Sequence, residues 1–379
     1  MKVKLKDIGT IITGNTPSKK EKSYWDSKDI CFVKPDIISE TGISLIEDSN
    51  EYISEAARSK ARIVSKDAIF ITCIGSIGKI GIACEGDYAF NQQINAIVPN
   101  DKVDSKYLAY ALLNSKSRLE AIANAPVVPI INKSQFGDFS INIEEDRSVQ
   151  LDIVLTLDTL SKIIKKRIEE LKILDDLIKA RFIEMFGDPE TNPKSWEQVT
   201  LNDVCSSIVR GPFGSALKKE FFVEPDETTY KVYEQKHAIQ KSSTIGTYYV
   251  TAEKYNELKR FECCAGDILM SCSGTMGELY QLPEGCERGI INQALCKFTL
   301  NERILPIFFL VYMQQTIGDL ETKGSGIKNI AAVSYVKAMP INLPPMKVQK
   351  LFATFVTQVD KSKCDALNIT SAPHYLLAS

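Results

Sequence analysis

A chain of 379 residues that is 44% hydrophobic and 25% charged is long enough to bury two hydrophobic cores. Its formal net charge of −2 excludes a general electrostatic attraction to nucleic acid, so phosphate contacts would have to come from local groups of lysine and arginine. Its ten cysteines lack the spacing of metal ligands, and disulfide scaffolds are typical of much smaller secreted chains.

We do not expect the N-terminal segment to be a targeting signal. The opening MKVKLKDIGT lacks the apolar core of a signal peptide. The longest apolar run, residues 307–313, is too short to span a bilayer. We therefore expect a cytoplasmic protein without a membrane partner.

The first domain is predicted over residues 1–145 and mixes strands with short helices. Its β-branched runs, such as residues 68–72 and 94–98, are bounded by Gly, Asn and Pro, which is typical of strands joined by turns. A short helix is predicted over Ser105–Asn114.

A long amphipathic helix is predicted next, within residues 146–187. It runs from about Arg147 to Phe186, roughly 60 Å at about 1.5 Å per residue. Apolar residues recur every seven positions along it in two registers, which is typical of a coiled-coil seam. In one register they are Leu157, Ile164, Leu171 and Ile178. In the other they are Ile153, Leu160 and Leu174, and Arg167 and Arg181 interrupt this second register.

The remaining chain repeats the first part. DAIFITCIGSIGKIG from Asp67 returns as DILMSCSGTMGEL from Asp267, and all matched positions are offset by between 196 and 201 residues. The repeat predicts a second domain over residues 188–343 and a second long helix within 344–379, beginning near Met346. We expect this helix to be shorter than the first, because its seven-residue pattern fades after Val359 and Pro373 interrupts it.

The two helices stand at equivalent ends of the two copies, and each needs a partner for its apolar stripe. If they pair with each other, they form an antiparallel coiled coil that holds two globular domains apart. Such a pseudo-twofold arrangement suits duplex DNA.

The junction MFGDPETNPKSWEQVTLNDV, at residues 185–204, resembles the specificity subunits of type I restriction-modification systems. The segments LKDIGTIITGNTPS, GSIGK, YKVYEQKHAI and INLPPMKVQ resemble the same family, and the similarity covers nearly the whole chain. It implies an α+β fold with two target recognition domains, each reading half of a split site in double-stranded DNA. It also implies that the paired helices dock two methyltransferase (M) subunits, with restriction (R) subunits joining later.

Polar loops are the candidates for DNA contacts, because Arg, Lys, Asn, Gln, Ser and Thr read base edges and bind phosphates. Each single candidate residue is equally well interpreted as an exposed side chain that makes no contact with DNA. The first-domain candidates are Thr16, Ser18, Lys19, Lys20, Lys22, Lys34 and Lys133. The second-domain candidates are Arg210, Ser215, Lys218, Lys219, Gln235, Lys236, His237, Lys323 and Lys328. The candidates for partner docking are Leu157, Leu160, Ile164, Leu171, Leu174 and Ile178.

Catalytic and cofactor sites find little support in the sequence. The GSIGK segment lacks the spacing of a P-loop, and only His237 and His374 could serve a histidine triad or a metal site. We therefore predict a non-catalytic chain that holds no metal and no cofactor. Two other functions stay open: an enzyme acting on nucleic acid, and an adaptor of the same architecture that binds protein.

Overall fold

The computed structural model describes residues 1–123, 128–213, 216–317 and 333–370, with side chains described as far as residue 364 at the C-terminal end. It divides into two compact units, Met1–Ile168 and Glu169–Ile369. Both units are mixtures of α-helices and β-sheets, as the sequence predicts.

Two β-sheets and a two-stranded ribbon form the first unit. One sheet has the strand order β2-β10-β7-β8-β4, the other has the order β5-β3-β9-β6, and β1 pairs with β11. The strands are β1 (Lys2–Lys4), β2 (Gly9–Thr13), β3 (Ile30–Val33), β4 (Ile43–Ile46), β5 (Tyr52–Ile53), β6 (Ile63–Ser65), β7 (Ile69–Thr72), β8 (Ile80–Ala83), β9 (Asp87–Phe90), β10 (Ile94–Pro99) and β11 (Ser140–Asn142). The helices are α1 (Leu5–Ile8), α2 (Ser105–Asn114), α3 (Lys116–Ile122) and α4 (Lys133–Asp138).

Strands β7 and β8 lie at the centre of this unit. Every residue of both strands is buried, which explains why their sequences are continuous apolar runs without polar alternation. Phe70 packs edge-to-face against Tyr88 and Phe90 of the neighbouring sheet, with ring centroids 6.1 and 5.4 Å apart. The two sheets of the first unit therefore share one aromatic core.

The second unit repeats this strand order. Its sheets run β13-β20-β17-β18 and β15-β14-β19-β16, and β12 pairs with β21. The strands are β12 (Glu197–Thr200), β13 (Cys205–Arg210), β14 (Tyr230–Tyr233), β15 (Tyr249–Val250), β16 (Glu262–Cys263), β17 (Ile268–Ser271), β18 (Leu279–Gln281), β19 (Gly289–Ile291), β20 (Leu295–Leu300) and β21 (Pro340–Leu343). Its short helices are α6 (Leu201–Val204), α7 (Gln235–Ile239), α8 (Ala252–Glu257), α9 (Pro306–Thr316) and α10 (Val333–Ala338).

The two copies differ at one sheet edge. In the first unit β4 pairs in parallel with β8, whereas among the described residues of the second unit no strand pairs with that edge of β18. Lys241 lies there instead. Its ammonium donates to the Leu279 carbonyl at 2.7 Å and forms an ion pair with Glu278 at 2.6 Å. A side chain thus satisfies part of an edge that a strand covers in the first copy.

Each long helix has a buried glutamine as its fourth residue. Helix α5 (Arg147–Phe186) has 40 residues and the bounds predicted from the sequence, and α11 (Met346–Thr370) has 25. Gln150 accepts from the Asp104 N–H and donates to two carbonyls, and Gln349 makes the same three bonds in the second unit. Each glutamine therefore joins its helix to two loops of its own unit.

Within the second unit the end of α5 packs against α11. The Phe182 and Phe352 ring centroids are 5.6 Å apart, and Lys363 lies 2.8 Å from Asp175. Since the later residue of α5 meets the earlier residue of α11, the contacts run antiparallel. The predicted coiled-coil pairing of the two helices stays a prediction.

Candidate nucleic-acid interface

In the first unit, the loop that begins at Gly14 leaves the sheet in very close contact with a neighbouring turn. A Cβ atom at Gly14 would lie only 2.2 Å from the Asn91 carbonyl oxygen, so the position requires glycine. The equivalent Gly211 has the same restriction, at 1.9 Å from the Asn292 carbonyl oxygen. In both copies a loop therefore starts at the same point of the fold, although the loop sequences differ between the two copies.

The side chains of Asn91 and Asn292 stabilise these turns. The amide oxygen of Asn91 accepts from the Gln93 N–H at 3.1 Å, and that of Asn292 accepts from the Ala294 N–H at 3.0 Å. Their recurrence in both copies reflects this shared structural role.

Three segments of the first unit meet beside Gly14. The Asn15 side chain donates to the Lys60 carbonyl at 2.7 Å and accepts from the Arg62 N–H at 2.8 Å. Thr16 donates to Gln92 at 2.9 Å. The segments at residues 14–22, 60–62 and 91–93 thus form one polar surface, which we call the first-unit loop cluster.

Several predicted residues lie in or beside this cluster. Thr16, Ser18, Lys19, Lys20 and Lys22 are exposed, as expected of groups that contact DNA. Four further polar residues of the cluster were not predicted: Asn15, Lys60, Arg62 and Gln92. The sequence could have suggested Lys60 and Arg62, because they form a basic run with Arg58.

The other two first-unit candidates differ from these. Lys34 is half-buried and donates to Glu51 at 2.5 Å, and this hydrogen bond raises the pKa of the Lys34 ammonium. Its charge is therefore compensated within the unit. Lys133 is exposed at the start of α4, which packs against α1 and β2.

The second-unit loop is only partly described. Lys218 and Lys219 are exposed, and Lys218 lies 3.5 Å from Glu220. Arg210 is 6% exposed, and its guanidinium lies 5.0 Å from the ring centroid of the exposed Phe213. Arg210 is thus held largely inside the fold. The candidates Ser215, Lys323 and Lys328 lie outside the described residues.

His237 has a structural role that the sequence did not reveal. The side chain is fully buried, its Nδ1 accepts from the Glu234 N–H at 2.9 Å, and its Nε2 donates to the Ile245 carbonyl at 2.7 Å. Burial lowers the pKa of the imidazole, which favours the neutral form. Both ring nitrogens are used within the unit, so this side chain offers no group to DNA.

The neighbours of His237 on helix α7 are also engaged. The Gln235 amide nitrogen donates to the Ser273 carbonyl and, at 3.1 Å, to the Thr275 carbonyl. Lys236 forms an ion pair with Glu234 at 2.7 Å. Gln235 therefore positions the turn that follows β17, and only its amide oxygen is left for a ligand.

The docking candidates on α5 are not equivalent. Ile178 is 8% exposed and belongs to the core of the second unit, and Leu174 packs against the same core. These two positions are consequently occupied within the chain. Leu157, Leu160 and Leu171 are half-buried and Ile164 is exposed. The most exposed apolar side chains of the helix are Leu155, Ile168 and Ile173, which the seven-residue pattern did not select.

The described residues contain no cluster of three or more side chains suited to hold a metal ion. Within the same residues, no helix is both long and apolar enough to cross a bilayer.

Comparisons with known proteins identify the family. Residues 1–173 and 193–370 match the Type I restriction modification DNA specificity domain. The MjaIX specificity subunit of Methanocaldococcus jannaschii is 30% identical over 221 residues, 53% of this chain and 50% of that protein. The HindI specificity subunit of Haemophilus influenzae is 33% identical over 109 residues, 28% of this chain and 23% of that protein. These matches thus span half or less of each relative's length.

Solved structures support the same fold. The type I restriction-modification S subunit from M. genitalium superposes with a TM-score of 0.54 at 15% identity, covering 100% of this chain and 93% of that one. A chain from a study of complex assembly in the type I system gives the same score at 14% identity and the same coverage. The family match covers most of the sequence, and the chain therefore belongs to the Type I restriction modification DNA specificity domain family.

Proposed function

We propose that this chain is the non-catalytic DNA-reading subunit of a type I restriction-modification complex. Each unit reads one half of a split, asymmetric site in double-stranded DNA. The chain also docks two methyltransferase subunits and, through the assembled complex, restriction subunits.

The observation that supports this proposal most strongly is the pair of equivalent loops with unlike sequences. Both begin at a glycine locked against the same turn, Gly14 in the first unit and Gly211 in the second. The sequences that follow, NTPSKKEK and PFGSALKK, have little in common. A duplicated framework that presents different polar side chains is suited to reading two different half-sites.

Local charge compensates for the weakly acidic chain. The residues from Gly14 to Lys22 include three lysines and one glutamate, although the chain as a whole has a net charge of −2. Phosphate binding by a few lysines gives an affinity that depends steeply on salt. We expect the chain to bind DNA weakly by itself and more tightly with methyltransferase subunits.

Helix α5 supplies a surface for docking. Ile164 and Ile168, one turn apart near its middle, are 40% and 64% exposed. Large apolar side chains exposed in the same stretch of a helix mark an interaction surface. We assign this surface to the methyltransferase subunits.

The loop assignment is tested by replacing Lys20 and Lys22 with alanine. We expect the complex with methyltransferase to bind duplex DNA about tenfold more weakly, for any sequence, and the slope of log K against log salt to fall by about two. Fluorescence anisotropy at several salt concentrations measures both quantities.

In the matched control, alanine replaces Lys2 and Lys102, two exposed lysines outside the loop cluster. Lys102 follows β10, whose opposite end adjoins the turn at residues 91–93. Equal salt slopes for the two double variants would show that the loop lysines do not contact phosphate. If neither double variant nor the wild-type complex binds duplex DNA, the result favours a protein-binding adaptor.

A further inference from the structure

The first unit has an open depression beside the loop cluster, lined by aromatic and charged side chains. Its volume is about 520 Å³, within the roughly 300–1,000 Å³ typical of small-molecule sites. The lining includes Lys19, Trp25, Lys28, Asn50, Glu51 and Tyr52. We call it the Trp25–Tyr52 pocket.

The two aromatic rings are held in place. Trp25 donates from Nε1 to the Ser18 carbonyl at 3.3 Å, and its ring packs edge-to-face on the buried Phe32 at 5.2 Å. The Tyr52 hydroxyl donates to the Asp48 carboxylate. Both rings remain half exposed, so each offers a fixed apolar surface to a ligand.

A lysine lies over each ring. The Lys19 ammonium is 5.2 Å from the Trp25 ring centroid, and the Lys28 ammonium is 5.0 Å from that of Tyr52. Stacking of a nucleobase on an aromatic ring is stronger than an exposed cation–π contact. A base can therefore displace either ammonium from its ring, which frees that ammonium to pair with a phosphate.

The lining holds two acidic side chains, Asp26 and Glu51, and Glu51 is already paired with lysines. Glu51 lies 2.5 Å from the Lys34 ammonium and 3.5 Å from that of Lys19. Its carboxylate therefore repels a phosphate less than an unpaired acid would. The chemistry of the lining matches a ligand that is aromatic at one end and anionic at the other.

In the second unit, Phe222 stands at the position that corresponds to Trp25. Phe222 follows the 3₁₀ helix Lys219–Phe221 as Trp25 follows Lys22–Tyr24. Its ring stacks on Tyr248, with centroids 4.4 Å apart and an interplanar angle of 20°. The aromatic ring at this position is thus paired with another ring of the second unit.

We propose that the Trp25–Tyr52 pocket binds one unstacked nucleotide of the DNA, with the base against the rings of Trp25 and Tyr52 and a phosphate on Lys19 or Lys28. The proposal rests on the proposed function for its choice of DNA as the source of the nucleotide. It goes further, since it adds a site for an unpaired base to a surface that otherwise meets paired bases.

Tryptophan fluorescence tests the proposal, because the chain has only Trp25 and Trp196. In full-length protein with Trp196→Phe, we expect short single-stranded oligothymidylate to quench the emission of Trp25. Tyr52→Leu in this background should weaken the binding about tenfold, which corresponds to the loss of one stacked base. The reciprocal protein, Trp25→Phe, should show no quenching of Trp196.

Circular dichroism and thermal unfolding establish that each variant is folded. Absence of quenching in a folded Trp196→Phe protein, or equal affinity of the Tyr52→Leu variant, would overturn the proposal. Quenching by free dTMP with the same affinity as the oligonucleotide would overturn the assignment to DNA. If duplex binding by the methyltransferase complex persists in any of these cases, the proposed function stands without the pocket.

Discussion

Gln150 and Gln349 show at the residue scale how the duplication preserves buried polar contacts. Each side chain is fully buried and uses both amide atoms on backbone groups of its own unit. A buried backbone group that loses its partner costs more than the hydrogen bond contributes. The occurrence of glutamine at both equivalent positions is therefore explained by the three backbone groups to which each side chain is hydrogen-bonded.

Replacing Gln349 with alanine should destabilise the second unit strongly. The Leu305 N–H and the carbonyls of Arg303 and Pro344 would lose their partner, and we expect the free energy of unfolding to fall by about 3 kcal/mol. Urea denaturation followed by circular dichroism measures the change. Gln358→Ala, at an exposed position of α11, is the control and should stay within about 0.5 kcal/mol of wild type. Similar losses in both variants would contradict the role of Gln349.

The buried imidazole of His237 predicts a pH dependence of stability. Its pKa in the folded protein is below that of an unfolded histidine, about 6.5, so the unfolded state binds more protons as the pH falls. The free energy of unfolding should therefore be fully developed above about pH 6.5 and should decrease below it.

Urea titrations of wild type and His237→Gln over this range measure the effect. We expect the variant to be less stable at neutral pH, because it cannot make both backbone bonds in the same geometry. The difference in the free energy of unfolding between the two proteins should shrink as the pH falls. Two parallel curves would show that His237 does not titrate on unfolding.

At the scale of elements, the sequence predicts the helices and strands that belong to the repeat or that have a periodic apolar pattern. The seven-residue pattern predicted α5 with its bounds, and the offset near 200 residues predicted the repeated sheets. Strand β4 has no copy among the described residues of the second unit, so the repeat gave no support for it. The buried imidazole of His237 is hydrogen-bonded to the Ile245 carbonyl, and Arg210 is buried within the second unit. Local sequence patterns do not reveal burial of this kind.

Helix α5 carries the docking prediction. Ile164→Asp with Ile168→Asp places two charges on exposed apolar positions one turn apart and leaves the core residues Leu174 and Ile178 unchanged. An unpaired carboxylate buried in an interface is costly, so the affinity for methyltransferase should fall at least about tenfold. Co-purification and circular dichroism measure binding and folding. Leu45→Asp, at a 55% exposed position of β4, is the control. Wild-type yield of the complex from the double variant would place docking elsewhere.

At the scale of the whole molecule, the duplication is the basis of the proposed function. Two units share one strand order and one glycine-locked loop position, while their loop sequences differ. A single recognition unit would read one continuous site, and two identical units would read a palindrome. Two related but unlike units predict a target made of two unlike halves.

Mapping of methylated bases by single-molecule sequencing tests this claim most directly. The DNA comes from cells that express this chain together with its methyltransferase, and cells that express the methyltransferase alone provide the control. The account predicts a motif of two short, unlike sequences separated by a spacer of fixed length, present only when both proteins are expressed. A continuous motif, a palindromic motif, or the same methylation without this chain would contradict it.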